Sequence, residues 1–193
     1  MKQFLDYCAT HPNAGVRCVA SDIILALHSD ASYLSEPESN SRASRKNFLG
    51  KKNESFNNGA IMTISQIIKH VISLASEAKT AAIFYNCKAA LPLRVSLEEM
   101  GHEQPKTPVT TDNTTAYGLI KKTMIPKRAN SYDMRFNFLK CRESQNQFDL
   151  FWMKGKINRA DYHRKRHPTQ HYIRKRGKYV VDMPLTEKWA SQQ

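Results

Sequence analysis

The run Ile23-Ile24-Leu25-Ala26-Leu27 constrains this chain more than any other stretch. Five consecutive apolar residues, β-branched at the head and free of turn residues, read as a buried strand. The run continues into His28-Ser29-Asp30-Ala31-Ser32-Tyr33, so a carboxylate stands near the end of that strand. A buried carboxylate without a partner is costly. Two more aspartates occupy comparable settings: Asp112 in Pro108-Val109-Thr110-Thr111-Asp112-Asn113, and Asp161 in Asn158-Arg159-Ala160-Asp161-Tyr162. Three carboxylates on separate elements of a basic protein point to a divalent-metal site working on a phosphodiester. Three unrelated aspartates at caps and turns would satisfy the same spacing.

Charge narrows the choice of partner. The chain carries 30 Lys+Arg against 17 Asp+Glu, and the excess is uneven. Residues 1–120 hold 12 basic and 11 acidic side chains, whereas residues 121–193 hold 18 and 6. A localised basic field is the footprint of polyanion binding, although a solvated face gives the same count. Lys121, Lys122, Lys127, Arg128, Arg164, Lys165 and Arg166 are the candidates for contact with phosphates.

The 193 residues suffice for one domain with tails, and no apolar run approaches the ~20 residues of a membrane span. The N-terminus, Met1-Lys2-Gln3-Phe4-Leu5-Asp6, lacks an apolar signal core. Cys8, Cys18, Cys87 and Cys141 form no Cys-x-x-Cys pair and read as reduced thiols of an intracellular protein, cytoplasmic or nuclear. Cys8 and His11 have no second ligand pair nearby, which makes a metal site there unsupported.

In chain order, residues 2–9 read as a short helix and 11–15 as a turn. Strands are expected at 22–34, 43–50 and 60–65, the last two separated by a turn marked by Asn58-Gly59. The period then changes. Apolar residues recur at helical spacing over 67–90, Pro92 is expected to break or kink the helix, and 93–100 continue it to Gly101. A fourth strand ends at Asp112, a short capped helix covers 114–122, a basic loop 123–131 and a helix 132–144. A fifth strand follows at 147–153 and a last helix at 158–167, stopped by Pro168. Residues beyond 170 show no period. The order implies an α/β fold: a five-stranded mixed sheet with helices on both faces. Phe151, Trp152 and Tyr162 are expected in its core. His163, His167 and His171 recur every four residues, but Pro168 interrupts them and Arg164-Lys165-Arg166 adds positive charge. They are expected to serve a phosphate-binding surface rather than a metal.

Five motifs in this order carry a resemblance. They are Ser29-Asp30-Ala31-Ser32-Tyr33; Ser76-Glu77-Ala78; Thr111-Asp112-Asn113-Thr114-Thr115-Ala116; Pro126-Lys127-Arg128 with Asp133-Met134-Arg135-Phe136; and Ala160-Asp161-Tyr162. Over roughly residues 20–170 the chain resembles the ribonuclease H domain at the C-terminal end of copia-type retrotransposon polyproteins. The resemblance implies a ribonuclease H-like fold over 22–168. It also implies an N-terminal tether from the reverse transcriptase over 1–21, carried by Phe4-Leu5-Asp6-Tyr7-Cys8-Ala9-Thr10-His11-Pro12, and a basic tail over 169–193.

In that family four carboxylates hold two divalent ions, Mg²⁺ or Mn²⁺, that cut the RNA strand of an RNA–DNA hybrid. The resemblance assigns Asp30, Asp112 and Asp161 as catalytic and metal-binding residues. The second carboxylate belongs in a Glu-Ala-Glu pattern on the first long helix, where this chain reads Glu77-Ala78-Lys79. Lys79 thus takes the place of the catalytic glutamate. Two residues turn a helix by about 200°, so Glu77 points away if Lys79 points in. Ser131 and Asn137 stand where the family commonly has histidine. The resemblance therefore implies either a hybrid-cutting two-metal nuclease impaired at Lys79, or an inactive relic that only binds duplexes.

Overall fold

The computed structural model describes residues 2–52, 58–121, 133–164 and 166–183. Short peripheral elements open it: α1 (Lys2–Thr10) and β1 (Ala14–Gly15). The main sheet then forms from β2 (Ile24–Glu36), β3 (Asn40–Gly50) and β4 (Ala60–Ile68), with β5 (Thr107–Thr111) and β6 (Phe148–Trp152) added later in the chain. Its order is β4-β3-β2-β5-β6. The meander β2-β3-β4 is antiparallel, while β5 lies parallel to β2 and β6 parallel to β5. This is the expected five-stranded mixed sheet.

Alternation along β2 sorts the two faces. Leu25 and Leu27 point to the main core, where they meet Val109 and Leu150 of the neighbouring strands. Three helices close that face: α2 (Ala75–Glu99), α3 (Thr114–Ile120) and α4 (Asp133–Ser144). They contribute Ile83, Cys87 and Ala90, then Ala116 and Ile120, then Phe136 and Leu139. The buried stripe of α2 is rich in alanine (78, 81, 82, 90), which lets the helix approach the sheet closely. The opposite face carries His28 and Asp30. It is covered by the 3₁₀ turn Arg159–His163 and by Tyr179. The α-helices α2, α3 and α4 therefore lie on one face, and a single 3₁₀ turn rather than a layer of helices covers the other.

Several expectations give way. The helix expected from residue 67 begins only at Ala75, because Ile67 and Ile68 extend β4 against Arg42 and Ser41. Pro92 does not break α2. Its missing N–H leaves the carbonyl of Lys88 without a helical donor, but Lys88 and Ala89 are exposed, so water can serve it. The helix ends at Gly101, whose φ of 87° closes a reversed turn with His102 N–H donating to the Leu97 carbonyl at 2.9 Å. The helix expected over 158–167 is only the 3₁₀ turn Arg159–His163. A further helix, α5 (Thr169–Arg176), follows it, and β7 (Val181–Asp182) returns to pair antiparallel with β1. Phe151 and Trp152 are half exposed on the edge strand β6 rather than in the core.

Candidate active site

Each aspartate is positioned by a local device. Asp30 lies on the central strand β2 with its side chain 1% exposed, and its Oδ1 accepts the N–H of Ala31 at 2.8 Å. Asn113, not Asp112, caps α3, its Oδ1 accepting from the N–H groups of Thr115 and Ala116. Asp112 is thereby released toward the site. Asn113 also donates to the Ser76 carbonyl at 3.2 Å, tying the end of β5 to the first turn of α2, where Lys79 stands. Asn158 caps the 3₁₀ turn of Asp161 and donates to the Ser29 carbonyl at 2.8 Å, while Ser44 Oγ donates to the Ala160 carbonyl at 2.8 Å. The turn is thus fixed against β2 and β3. A Cβ on Gly155 would come within 2.9 Å of Asp112 Oδ2, so a larger residue there would displace the Asp112 carboxylate.

Two cations stand among the three carboxylates. Lys79 Nζ donates to Asp112 Oδ1 at 2.7 Å. Arg164 Nε lies 3.2 Å from Asp30 Oδ2 and 2.5 Å from Asp161 Oδ1. Sequence reasoning set Arg164 on the phosphate-binding surface; the structure turns it inward as the link between two aspartates. Its place three residues after Asp161 is the one sequence signal for this. Lys121, also expected to contact phosphates, is committed to Glu143 at 2.7 Å and Asp149 at 2.5 Å. Arg166 is exposed beside a pocket it shares with Arg42, His163 and Tyr172. Lys122, Lys127, Arg128 and Lys165 lie outside the described residues. Glu77 faces elsewhere, its Oε2 accepting the Ser73 N–H at 2.8 Å ahead of α2.

Burial pushes Asp30 up to about 7; Arg164 opposes the shift and Asp112 adds to it. Burial works against the charge on Arg164, but Asp30 and Asp161 outweigh it and raise its pKa. On the same face burial lowers His28 to about 4, helped by Lys46 and Arg159. Neutral His28 accepts the Arg159 N–H through Nδ1 at 2.9 Å.

The carboxylates do not fit a pair of divalent ions as they stand. Asp30 Oδ2 is buried without a hydrogen bond, as a metal ligand would be, but the nearest cation is a guanidinium. The three aspartates do not offer oxygens that all lie within 4.8 Å of one another. A different set does: Asp161, His167 and His171. Pro168 was expected to keep these histidines apart. Instead it precedes α5 and turns the chain, so that the two rings stack at 4.0 Å with 7° between their planes. His163 is turned away against Tyr162 and Tyr179.

No family model and no curated protein matches the chain. Solved structures do. LC11-RNase H1, crystallised in complex with an RNA/DNA hybrid, is similar with a TM-score of 0.54 at 10% identity over 72% of this chain and 92% of that one. A second structure of LC11-RNase H1, isolated from compost by a metagenomic approach, gives 0.55 at 11% identity over 72% and 91%. The N-terminal RNase H domain of a Mycobacterium tuberculosis protein gives 0.51 at 12% identity over 74% and 91%. At these identities the likeness establishes the fold, which is ribonuclease H-like.

Proposed function

We propose that this chain is a ribonuclease H-like domain that binds nucleic acid duplexes, RNA–DNA hybrids above all, and does not cut them by the two-metal route. The observation that carries this reading is the Lys79–Asp112 pair at 2.7 Å, in the place where the resemblance puts a metal-binding glutamate. With Arg164 between Asp30 and Asp161, the site supplies its own cations. Three carboxylates and two side-chain cations leave about −1, against the strongly negative cradle that two dications require. This donor set supports the duplex-binding reading over Mg²⁺- or Mn²⁺-dependent cleavage.

Duplex binding draws on the basic excess of residues 121–193 and on the hybrid held by the LC11-RNase H1 neighbour. Exposed Arg166, Arg174 and Lys178 are available for phosphates, whereas Lys121 and Arg164 are engaged within the chain. The motif order supports descent from a copia-type retrotransposon polyprotein, with residues 1–21 as the tether and a reverse transcriptase as ancestral partner. Among the described residues no helix is long and apolar enough to cross a membrane.

The test pairs two measurements on the full chain. Hybrid binding is followed by fluorescence anisotropy across a salt series, and cleavage by gel with millimolar Mg²⁺ or Mn²⁺. Binding that weakens steeply with salt, without cleavage, supports the reading. Efficient metal-dependent cleavage refutes it.

A further inference from the structure

We infer that Asp161, His167 and His171 form a binding site for a first-row transition ion, Zn²⁺ by preference, which shares Asp161 with the aspartate cluster of the ribonuclease H-like fold and takes its two histidine ligands from outside it. Their ligand atoms already lie within 4.8 Å of one another. A tetrahedral Zn²⁺ with ligands at about 2.0–2.1 Å holds them about 3.3 Å apart, so the side chains must draw together and the stacked rings rotate to turn their in-plane lone pairs onto one ion.

The surroundings favour metal ligation. His167 Nε2 lies 2.9 Å from the Asp161 carbonyl, which accepts its proton and leaves Nδ1 with a free lone pair. A backbone carbonyl fixing the tautomer of a ligating histidine is a common supporting arrangement at metal sites. His171 Nε2 is buried and has no hydrogen-bond partner, which is costly for an imidazole nitrogen unless something binds there. The face-to-face rings would repel each other if both were protonated, so the pair favours neutral imidazoles, the form that ligates a metal. Arg164 occupies one Asp161 oxygen, Oδ1, and leaves the other for the metal.

Lys156, Arg174, Lys175 and Lys178 line an open pocket of about 460 Å³ next to Asp161 and His171. Their basic charge weakens a purely electrostatic hold, as it would for Mg²⁺. It affects an imidazole-based hold less, because two nitrogen donors select Zn²⁺ over oxygen-seeking ions. Three protein ligands leave one coordination position, and a phosphate oxygen drawn in by the lysines is the natural occupant.

The experiment uses the full chain carrying Cys8→Ser, Cys18→Ser and Cys141→Ser, since these exposed thiols would otherwise compete for zinc. The chelator-stripped protein is titrated with Zn²⁺ against a colorimetric indicator and with Co²⁺ by visible absorption. One ion per chain is expected, undisturbed by millimolar Mg²⁺, with the intense absorption of four-coordinate Co²⁺ and no thiolate band. His167→Ala and His171→Ala should each weaken binding at least about tenfold, and His102→Ala, in the turn after α2, should not. His171→Asn with circular dichroism replaces any alanine variant that fails to fold. No stoichiometric ion, equal affinity in the histidine variants, or displacement by Mg²⁺ overturns the inference. Hybrid binding and cleavage are scored separately, so neither result decides the other.

Discussion

Replacing Lys79 with glutamate and Arg164 with alanine should convert the site into one that holds Mg²⁺. Lys79 Nζ is 2.7 Å from Asp112 Oδ1, so a Mg²⁺ bound to that oxygen at about 2.1 Å would lie within about 5 Å of the ammonium. At that distance the repulsion is about 7 kcal/mol at an effective dielectric of about 20 and about 2 kcal/mol at that of water. Lys79 and Asp112 are 25% and 17% exposed, which places the true cost between these limits. Even the lower limit reduces occupancy more than tenfold. The double substitution removes both cations and adds a carboxylate, taking the site from about −1 to about −4. Without metal the variant should melt below the unmodified chain, because Asp30, Asp112, Asp161 and the new glutamate repel one another. Millimolar Mg²⁺ should restore its Tm and leave that of the unmodified chain unchanged. A labelled hybrid should then be cut by the variant in Mg²⁺ or Mn²⁺, and Lys79→Glu alone should give a weaker version of the same gain. The placement of Lys79 is wrong if the unmodified chain binds Mg²⁺ and cuts well, or if the double variant gains neither metal-dependent Tm nor cleavage.

Other outcomes can be checked on the same protein. Glu77→Gln should leave hybrid binding unchanged, and the cleavage gained by Lys79→Glu likewise, since Glu77 serves the Ser73 N–H; a loss would show that it reaches the substrate. Asp30, raised to about 7 by burial, favours the folded state most fully when protonated, so the chain should lose stability as pH rises from about 4 to 7. Asp30→Asn should abolish that loss, worth up to about 4 kcal/mol by urea unfolding at pH 8, and give no advantage at pH 3. Arg174→Gln, Lys175→Gln and Lys178→Gln together should flatten the salt dependence of hybrid binding, by about 0.9 in log–log slope for each phosphate left without its cation. Arg45 is fully buried, bonded to the Asn86 carbonyl and Met62 sulfur with no acidic partner among the described residues. Arg45→Met should therefore be neutral or stabilising in thermal melts, whereas Arg45→Ala should lower the Tm by leaving a cavity.

The strands were legible because each declares itself locally. Ile24 to Leu27 is a short apolar run, and Asn58-Gly59 stands ahead of Ala60 as a turn mark. The start of α2 was not, because Ile67, Ile68, Val71 and Leu74 continue the apolar pattern across the junction without a break. Only pairing with β3 decides that the first two are strand. Short elements that exist through distant partners left no periodic trace: β1 and β7 are two residues each and meet across the whole chain. The aspartates could be found by spacing, but Arg164 could not be separated from its basic neighbours by sequence, because a run of like charges reads as solvated. Its inward turn comes from the Asn158 cap and the hydrogen bond of Ser44 to Ala160, both long-range. The same turn carries His167 toward His171, which spacing on an ideal helix would not show.

The pairing of β1 with β7 also determines how the molecule responds to force. Ala14 faces Asp182 and Gly15 faces Val181, so a pull on α1 and on the segment after β7 reaches the ladder from the same end. Its bonds are then loaded one after another, as in a zipper, rather than together as in shear. Arg176 strengthens this clasp from the side, holding Asp182 with two bonds and the Tyr7 hydroxyl with a third. Under tension the clasp should open first and at low force, releasing α1 while the five-stranded sheet stays whole. In a chain tethered to a larger protein through α1, such a joint would act as an extensible strap, lengthening under load before the folded body feels it.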